Sequence, residues 1–184
     1  LRLQFITIAS LAILFILVFT VGIINTVRSF QTEQEISKVL NTLTENNGSF
    51  GKTKKIETNQ GHEIPSDSFR FFSVTLSGDK VVSQDTSHTS LIDDEEAVSY
   101  ALAASRMTNT LGTIRDKNIN LSYQVSKVSK DKILVVFLDT TSYYNSSQAL
   151  LSLSILLSLF GFIFFVVIVS ALSGIVIRPF IRNY

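Results

Sequence analysis

Four consecutive acids, Asp93-Asp94-Glu95-Glu96, are the residues whose types could most readily do chemistry, because carboxylates hold divalent cations and carry protons. Their spacing points to a structural task instead. Asp93 can accept hydrogen bonds from the first turn of a helix, Glu96 stands three residues on as in a capping box, and acids are favoured at the positive end of the helix dipole. A calcium loop alternates its oxygen ligands around a sharp glycine turn, and this run does not. His62 and His88, the only histidines, lie in polar segments without a second His four residues away or an HExxH context, so they read as ordinary exposed side chains. The chain has no cysteine, which excludes a thiol nucleophile, a zinc cluster of cysteines and any disulfide framework. No GxxxxGK[ST], GxGxxG or GxSxG pattern occurs. Lys52, Lys54 and Lys55 could meet lipid head groups or cell-wall polyanions, but a solvated loop accounts for them more simply. Asn47-Gly48-Ser49, Asn120-Leu121-Ser122 and Asn145-Ser146-Ser147 match the glycosylation pattern, which matters only in a eukaryotic secretory pathway. No catalytic, cofactor-binding or metal-ligating residue is expected within these 184 residues.

The elements that any functional residue depends on are dominated by an uneven charge distribution. All 15 acidic residues fall between Glu33 and Asp139, and residues 3–27 and 140–177 contain no charged side chain. An uncharged apolar run of about 20 residues is what a helix needs to cross a bilayer. The first run, Leu3 to Ile24, is rich in Leu, Ile, Phe and Val, with Thr and Ser that can bond back to the helix. It is longer than the apolar part of a signal peptide, and no small-x-small cleavage site follows it, so it reads as an uncleaved anchor. The second run, Ala149 to Ile177, would extend roughly 43 Å as helix, more than the hydrocarbon core requires. Two spans do not suffice for the midplane site of a transporter.

Orientation follows from Arg2 before the first span and Arg178 and Arg182 after the second, which carry +3 and leave the middle segment at −2 of the net +1. Positive-inside weighting places both termini in the cytoplasm and residues 28–148 outside the cell. The expected organisation is a first transmembrane helix at 1–27, an extracytoplasmic domain at 28–148, a second transmembrane helix at 149–177 and the start of a cytoplasmic region at 178–184. A basic footprint for nucleic acid is absent. An outside domain without disulfides suits a Gram-positive type of surface. Ser154 and Ser158, then Ser170 and Gly174, recur four apart on one helical face; this spacing permits a close helix seam, and it also matches the ordinary Ser and Gly content of membrane helices.

Within the middle segment, Ile36, Val39, Leu40 and Leu43 repeat at helical spacing, predicting a juxtamembrane helix over 28–47 that continues the first span and stops at Asn46-Asn47-Gly48. Ser49 to Ser68 reads as loop or poorly specified strand. Phe69 to Leu76 and Val81-Val82-Ser83 predict a hairpin turning at Gly78, with Phe72, Val74 and Leu76 on one face and Arg70 and Ser73 off it, as for a sheet packed on one side. A helix opens at Asp93 and presents Ala97, Tyr100, Ala101, Ala104, Met107 and Leu111 on one face. Leu121 to Val125 and Ile133 to Leu138 form a second hairpin, the latter strand apolar on both faces and so central. The expected core, about 69–140, is ββαββ: an α+β domain with one antiparallel sheet and its helices on one side.

Arg70-Phe71-Phe72-Ser73-Val74 with Gly78 to Ser83, Asp93-Asp94-Glu95-Glu96-Ala97 opening a helix, and Ile133 to Asp139 just before the second span resemble the N-terminal sensor region of Gram-positive two-component sensor histidine kinases. In that family the second span typically ends in an Arg-Pro step like Arg178-Pro179, the phospho-accepting helix follows soon after, and the outside domains often resemble PAS-like folds. The resemblance implies a bacterial cell membrane location, a homodimer, an extracellular stimulus and a cytoplasmic response regulator as partner. ATP and Mg would enter only with a downstream kinase region, since the family's phosphorylated His and ATP-binding boxes have no counterpart here. The chain begins at Leu1 and ends where that region would begin, so it reads as a fragment.

On this reading a change in packing of the outside sheet, or of the helix carrying Ile36, Val39, Leu40 and Leu43, would shift the second span against its dimer mate. Ser154, Ser158, Ser170, Gly174, Arg178 and Pro179 are the expected relay residues, with Pro179 breaking the helix and setting its exit angle. The alternatives are a non-enzymatic membrane adaptor or structural protein, and a chemotaxis-type receptor with the same outside layout.

Overall fold

The computed structural model describes residues 2–59 and 61–181. The chain divides into two compact units, a folded domain at Phe30–Asn145 and the apolar helical stretches on either side of it.

Helix α1, Arg2–Glu45, runs for 44 residues because nothing in it breaks the helical hydrogen-bond ladder: it has no proline, and its only glycine is Gly22. Its polar side chains are absorbed locally, as Thr7, Thr20 and Thr26 each donate to the carbonyl four residues back at 2.8–2.9 Å. That bond is the cheapest way to satisfy a hydroxyl in an apolar helix. α1 ends where expected. Asn47 takes φ 55° and Gly48 φ 87°, and the Gly48 N–H closes on the Leu43 carbonyl at 2.7 Å.

Strands β1 (Lys55–Glu57) and β2 (Glu63–Pro65) form a small hairpin, and a 3-10 turn at Ser66–Ser68 leads to the main sheet. The hairpin falls in the stretch expected as loop or poorly specified strand, and it buries Ile56. The main sheet contains β3 (Phe71–Ser77), β4 (Lys80–Asp85), β5 (Leu111–Asp116), β6 (Ile119–Lys127) and β7 (Ile133–Asp139), in the antiparallel order β4-β3-β7-β6-β5. β7 is central, as its two apolar faces require, with Leu134 to Leu138 all buried. Helix α2, Asp94–Ser105, lies between β4 and β5, and α3, Thr141–Ile181, follows β7.

The sheet is covered on both faces, which corrects the expectation of helices on one side. One face packs Phe71, Leu134, Val136 and Leu138 against Ile36, Val39, Leu40 and Leu43 of α1, with Phe50, Ile56 and Phe69 closing the edge. The other packs Phe72, Val74, Leu76, Leu121, Tyr123, Val135 and Phe137 against Ala97, Ala101 and Ala104 of α2. The cause is visible in Phe71-Phe72, since consecutive strand residues point to opposite faces and both rings need cover. Phe72 stands opposite Phe137 and stacks on it with ring centroids 4.6 Å apart. The core has the order ββαβββ where ββαββ is expected, because Leu111–Asp116 adds an edge strand, β5, where the pattern places Leu111 on a helix and assigns no strand. Met107 and Leu111 are not on the α2 face: the helix ends at Ser105, Met107 is 50% exposed and Leu111 opens β5.

Leu3–Glu45 and Thr141–Gly174 are long and apolar enough to cross a membrane. Phe15, Phe160 and Phe164 are each more than 65% exposed along them, an apolar surface that water does not favour. α3 stays helical past Pro179 to Ile181, so Pro179 does not end the helix. In a last turn the missing proline N–H removes one bond while later residues still close theirs, so the helix survives. The side chains of Arg178 and Pro179, and all of Arg182, lie outside what is described.

Candidate functional site

The passage from sheet to α3 is held by a cluster of hydrogen bonds. β7 ends at Asp139 and α3 begins at Thr141, leaving Thr140 alone as connector, fully buried. Its N–H donates to the Asn120 carbonyl at 2.8 Å, and its hydroxyl donates to the same oxygen at 3.1 Å. The Thr140 and Ser122 hydroxyls meet at 3.1 Å, and the Asn120 N–H donates to Thr141 Oγ1 at 2.9 Å. The first turn of α3 is thus tied to β6 by both partners of Asn120. Asp139 caps the helix, Oδ1 accepting the Thr141 N–H at 3.0 Å. A single buried residue held this way leaves little slack between sheet and helix.

Beside this joint lies a cleft of about 590 Å³. Arg70 and Asp139 line it, with Asn118, Asn145, Ser142 and Tyr143 among the other walls. A second cleft of about 520 Å³ shares Ser68, Phe69 and Arg70 and adds Asp67, Ser87, His88, Thr89 and Ser90. His88 is not merely solvated: its ring stacks on Phe71 with centroids 4.4 Å apart. Asp85 accepts two hydrogen bonds from Ser87, hydroxyl and N–H, which hold its carboxyl below the usual range, with the nearby His88 adding to the effect.

The acidic run does what its spacing implies. The Glu96 N–H donates to Asp93 Oδ1 at 2.8 Å, the Ala97 N–H donates to the Asp93 carbonyl, and Asp94, Glu95 and Glu96 fill the first turn of α2. Among the described residues no group of three His, Asp or Glu could hold a metal ion. Deeper along α2, burial and then the hydrogen bond to Asp116 push the Tyr100 hydroxyl up to about 12. Lys55 pairs with Glu63 across the β1–β2 hairpin, which gives one of the three clustered lysines a structural partner.

Among the small residues of α3, Ser154, Ser158, Ser170 and Gly174 are all half-buried, the first two sharing one face and the last two another. Ser154 donates to the Leu150 carbonyl at 2.8 Å. Ser158, with Ile155, Leu159 and Phe162, borders a space of about 290 Å³ whose other wall is Leu14, Leu17, Val18 and Val21 of α1. This stretch of the stripe therefore meets the first helix of the same chain. Ser173, which was not singled out, is 6% exposed, and its hydroxyl has no hydrogen-bond partner among the described residues.

Sequence reasoning missed Asn120 and Thr140 because small polar residues at strand ends look like ordinary loop material. It missed β5 because an edge strand with exposed Leu111, Thr113, Arg115 and Asp116 carries little apolar signal. The Asp116-Lys117-Asn118 step was the available cue: Lys117 takes φ 49° in a tight turn into β6. Arg70 was placed off the Phe72 face, yet alternation puts it on that side, at the sheet end where the clefts open. No protein-family model and no curated protein matches the chain.

Proposed function

We propose that this chain is the signal-sensing and membrane-relay portion of a two-component sensor histidine kinase, acting as a homodimer in a bacterial cell membrane. Residues 28–148 face outward and both ends lie in the cytoplasm. The domain is read as PAS-like, supported by a five-stranded antiparallel sheet in which the first and last core strands, β3 and β7, are central neighbours and α2 crosses over one face. The observation that carries the relay is the joint at Thr140, where the central strand enters the second apolar helix through one buried residue. An outside event that repacks β6 against β7 moves the origin of α3 directly.

For such an event to shift the helix, the stimulus must bind two arrangements of the domain with different affinity. The stripe carrying Ser154 and Ser158 is where displacement of α3 against Leu14, Val18 and Val21 would be felt, because small residues let backbones approach closely. No step of phosphoryl transfer is assigned to any residue here; the cytoplasmic kinase region would supply ATP, Mg and the phosphorylated His, and a response regulator would receive the phosphate.

Two measurements test the reading. The codons following Tyr184 should encode a helix with a His-Glu pair; a sustained heptad repeat would indicate a chemoreceptor, a stop codon an adaptor, and either would overturn it. Because the chain has no cysteine, a Val18→Cys/Ser158→Cys pair can be introduced cleanly and its disulfide yield followed in membranes. Loosening the joint with Thr140→Val should change that yield, and an identical yield would argue against a mechanical link.

A further inference from the structure

Arg70 and Asp139 form an opposite-charge pair that is not closed on itself. The Asp139 N–H donates to the Arg70 carbonyl at 2.9 Å, one step beyond the Phe71–Leu138 register, so the two residues stand across from each other on neighbouring strands. Side chains so placed start only about 5 Å apart. Even so, the guanidinium makes no ion pair or hydrogen bond within the described residues, while Asp139 gives one oxygen to the Thr141 N–H and keeps the other open. Both line the cleft beside the α3 joint. Its remaining walls combine apolar surface from Ile64, Phe69 and Leu91 with the amides of Asn118 and Asn145.

We propose that this cleft binds a small zwitterion with an apolar side chain, an α-amino acid or short peptide. The guanidinium fork suits a carboxylate, which it can grip with two parallel bonds. The free Asp139 oxygen suits an ammonium group. A simple anion fits worse, because Asp67 borders the adjoining cleft and Asp139 lines this one, setting two carboxylates around one guanidinium. Leu91, 47% exposed at the rim, and Phe69 offer apolar cover, and the amides can meet a peptide bond. Ligand held across Arg70 and Asp139 also bridges β3 to the residue that caps α3, so occupancy would tighten the joint. That last step rests on the relay reading above, whereas the binding site does not.

The test uses the whole chain in lipid nanodiscs and titrates L-leucyl-L-leucine, its N-acetylated form and its C-terminal amide by calorimetry. The free dipeptide should bind about tenfold or more tightly than either capped form, the loss expected when one charged hydrogen bond is removed. Arg70→Ala should erase the preference for a free carboxylate. Asp139→Asn, which keeps the oxygen that caps α3, should erase the preference for a free ammonium group with the fold unchanged by circular dichroism. Equal binding of all three probes, no binding of any, or a preference that survives both substitutions would overturn the site. Charge-dependent binding that leaves the Val18→Cys/Ser158→Cys yield unchanged would leave the site standing and count against the relay.

Discussion

Replacing Thr140 by Val is the sharpest perturbation of the joint, because it keeps the shape of the side chain and removes only its hydroxyl. Thr140 is fully buried, so the change is felt in a dry environment. The lost group donates to the Asn120 carbonyl at 3.1 Å and accepts from Ser122 at a similar distance. Two remaining contacts offset this loss in part. The Asn120 carbonyl still receives the Thr140 N–H at 2.8 Å, and the Ser122 hydroxyl can turn to Thr113 Oγ1, 3.4 Å away, so neither is stranded. The net loss is therefore that of one to two ordinary hydrogen bonds, about 1.5 kcal/mol, rather than the larger penalty of a buried orphan. That corresponds to roughly a tenfold rise in the population of the locally opened joint. Hydrogen exchange with mass spectrometry on the intact chain should show this rise at the Asn120 and Thr140 amides. The strands β3 and β4, on the far side of β7 from the affected β6 contact, should keep wild-type protection. Unchanged exchange at Asn120 and Thr140 would refute the idea that the hydroxyl holds the joint; equal loss throughout the sheet would refute its local character.

Phe137→Ala removes a fully buried ring that stacks on Phe72 and touches Tyr123, and should destabilise the domain by about 3–5 kcal/mol in chemical denaturation of the whole chain, whereas Phe137→Leu should lose distinctly less. In an absorbance titration Tyr100 should ionise well above the range of an ordinary tyrosine: burial first, and then Asp116, raise its hydroxyl from 10.0 to about 12. A folded-state value above the unfolded one means its contribution is complete below pH 10.0 and disappears as pH rises toward about 12. Asp116→Asn should bring the Tyr100 transition down, and a transition that stays put would show burial acting alone.

Much of the architecture was legible in local pattern. The uninterrupted apolar runs specify helices long enough to cross a membrane, the Asn47-Gly48 stop needs only residues that tolerate positive φ, and Asp93 caps α2 through a bond made within four residues. The doubly apolar run at Ile133 to Leu138 identifies a central strand because only burial on both sides allows it. These are signals carried by neighbours in sequence, and physics reads them over one or two turns.

What the chain's order of residues could not disclose depends on partners far away in sequence. Arg70 and Asp139 acquire meaning only when β3 and β7 pair; until then each is one charge in a polar segment. Asn120 and Thr140 form a clamp because β6 lies beside β7, with nothing in either residue's own neighbourhood to mark it. The second cover of the sheet was legible in Phe71-Phe72 yet assigned to one side, since alternation shows that two faces are apolar but not which helix comes to each. By itself the sequence determined the two long apolar helices, the stop of α1 at Asn47-Gly48, the cap of α2 at Asp93 and the centrality of β7, for these follow from backbone geometry and burial. The tertiary structure alone decided which small polar groups meet, because hydrogen bonds and charge pairs act over a few ångströms and folding chooses who stands that close.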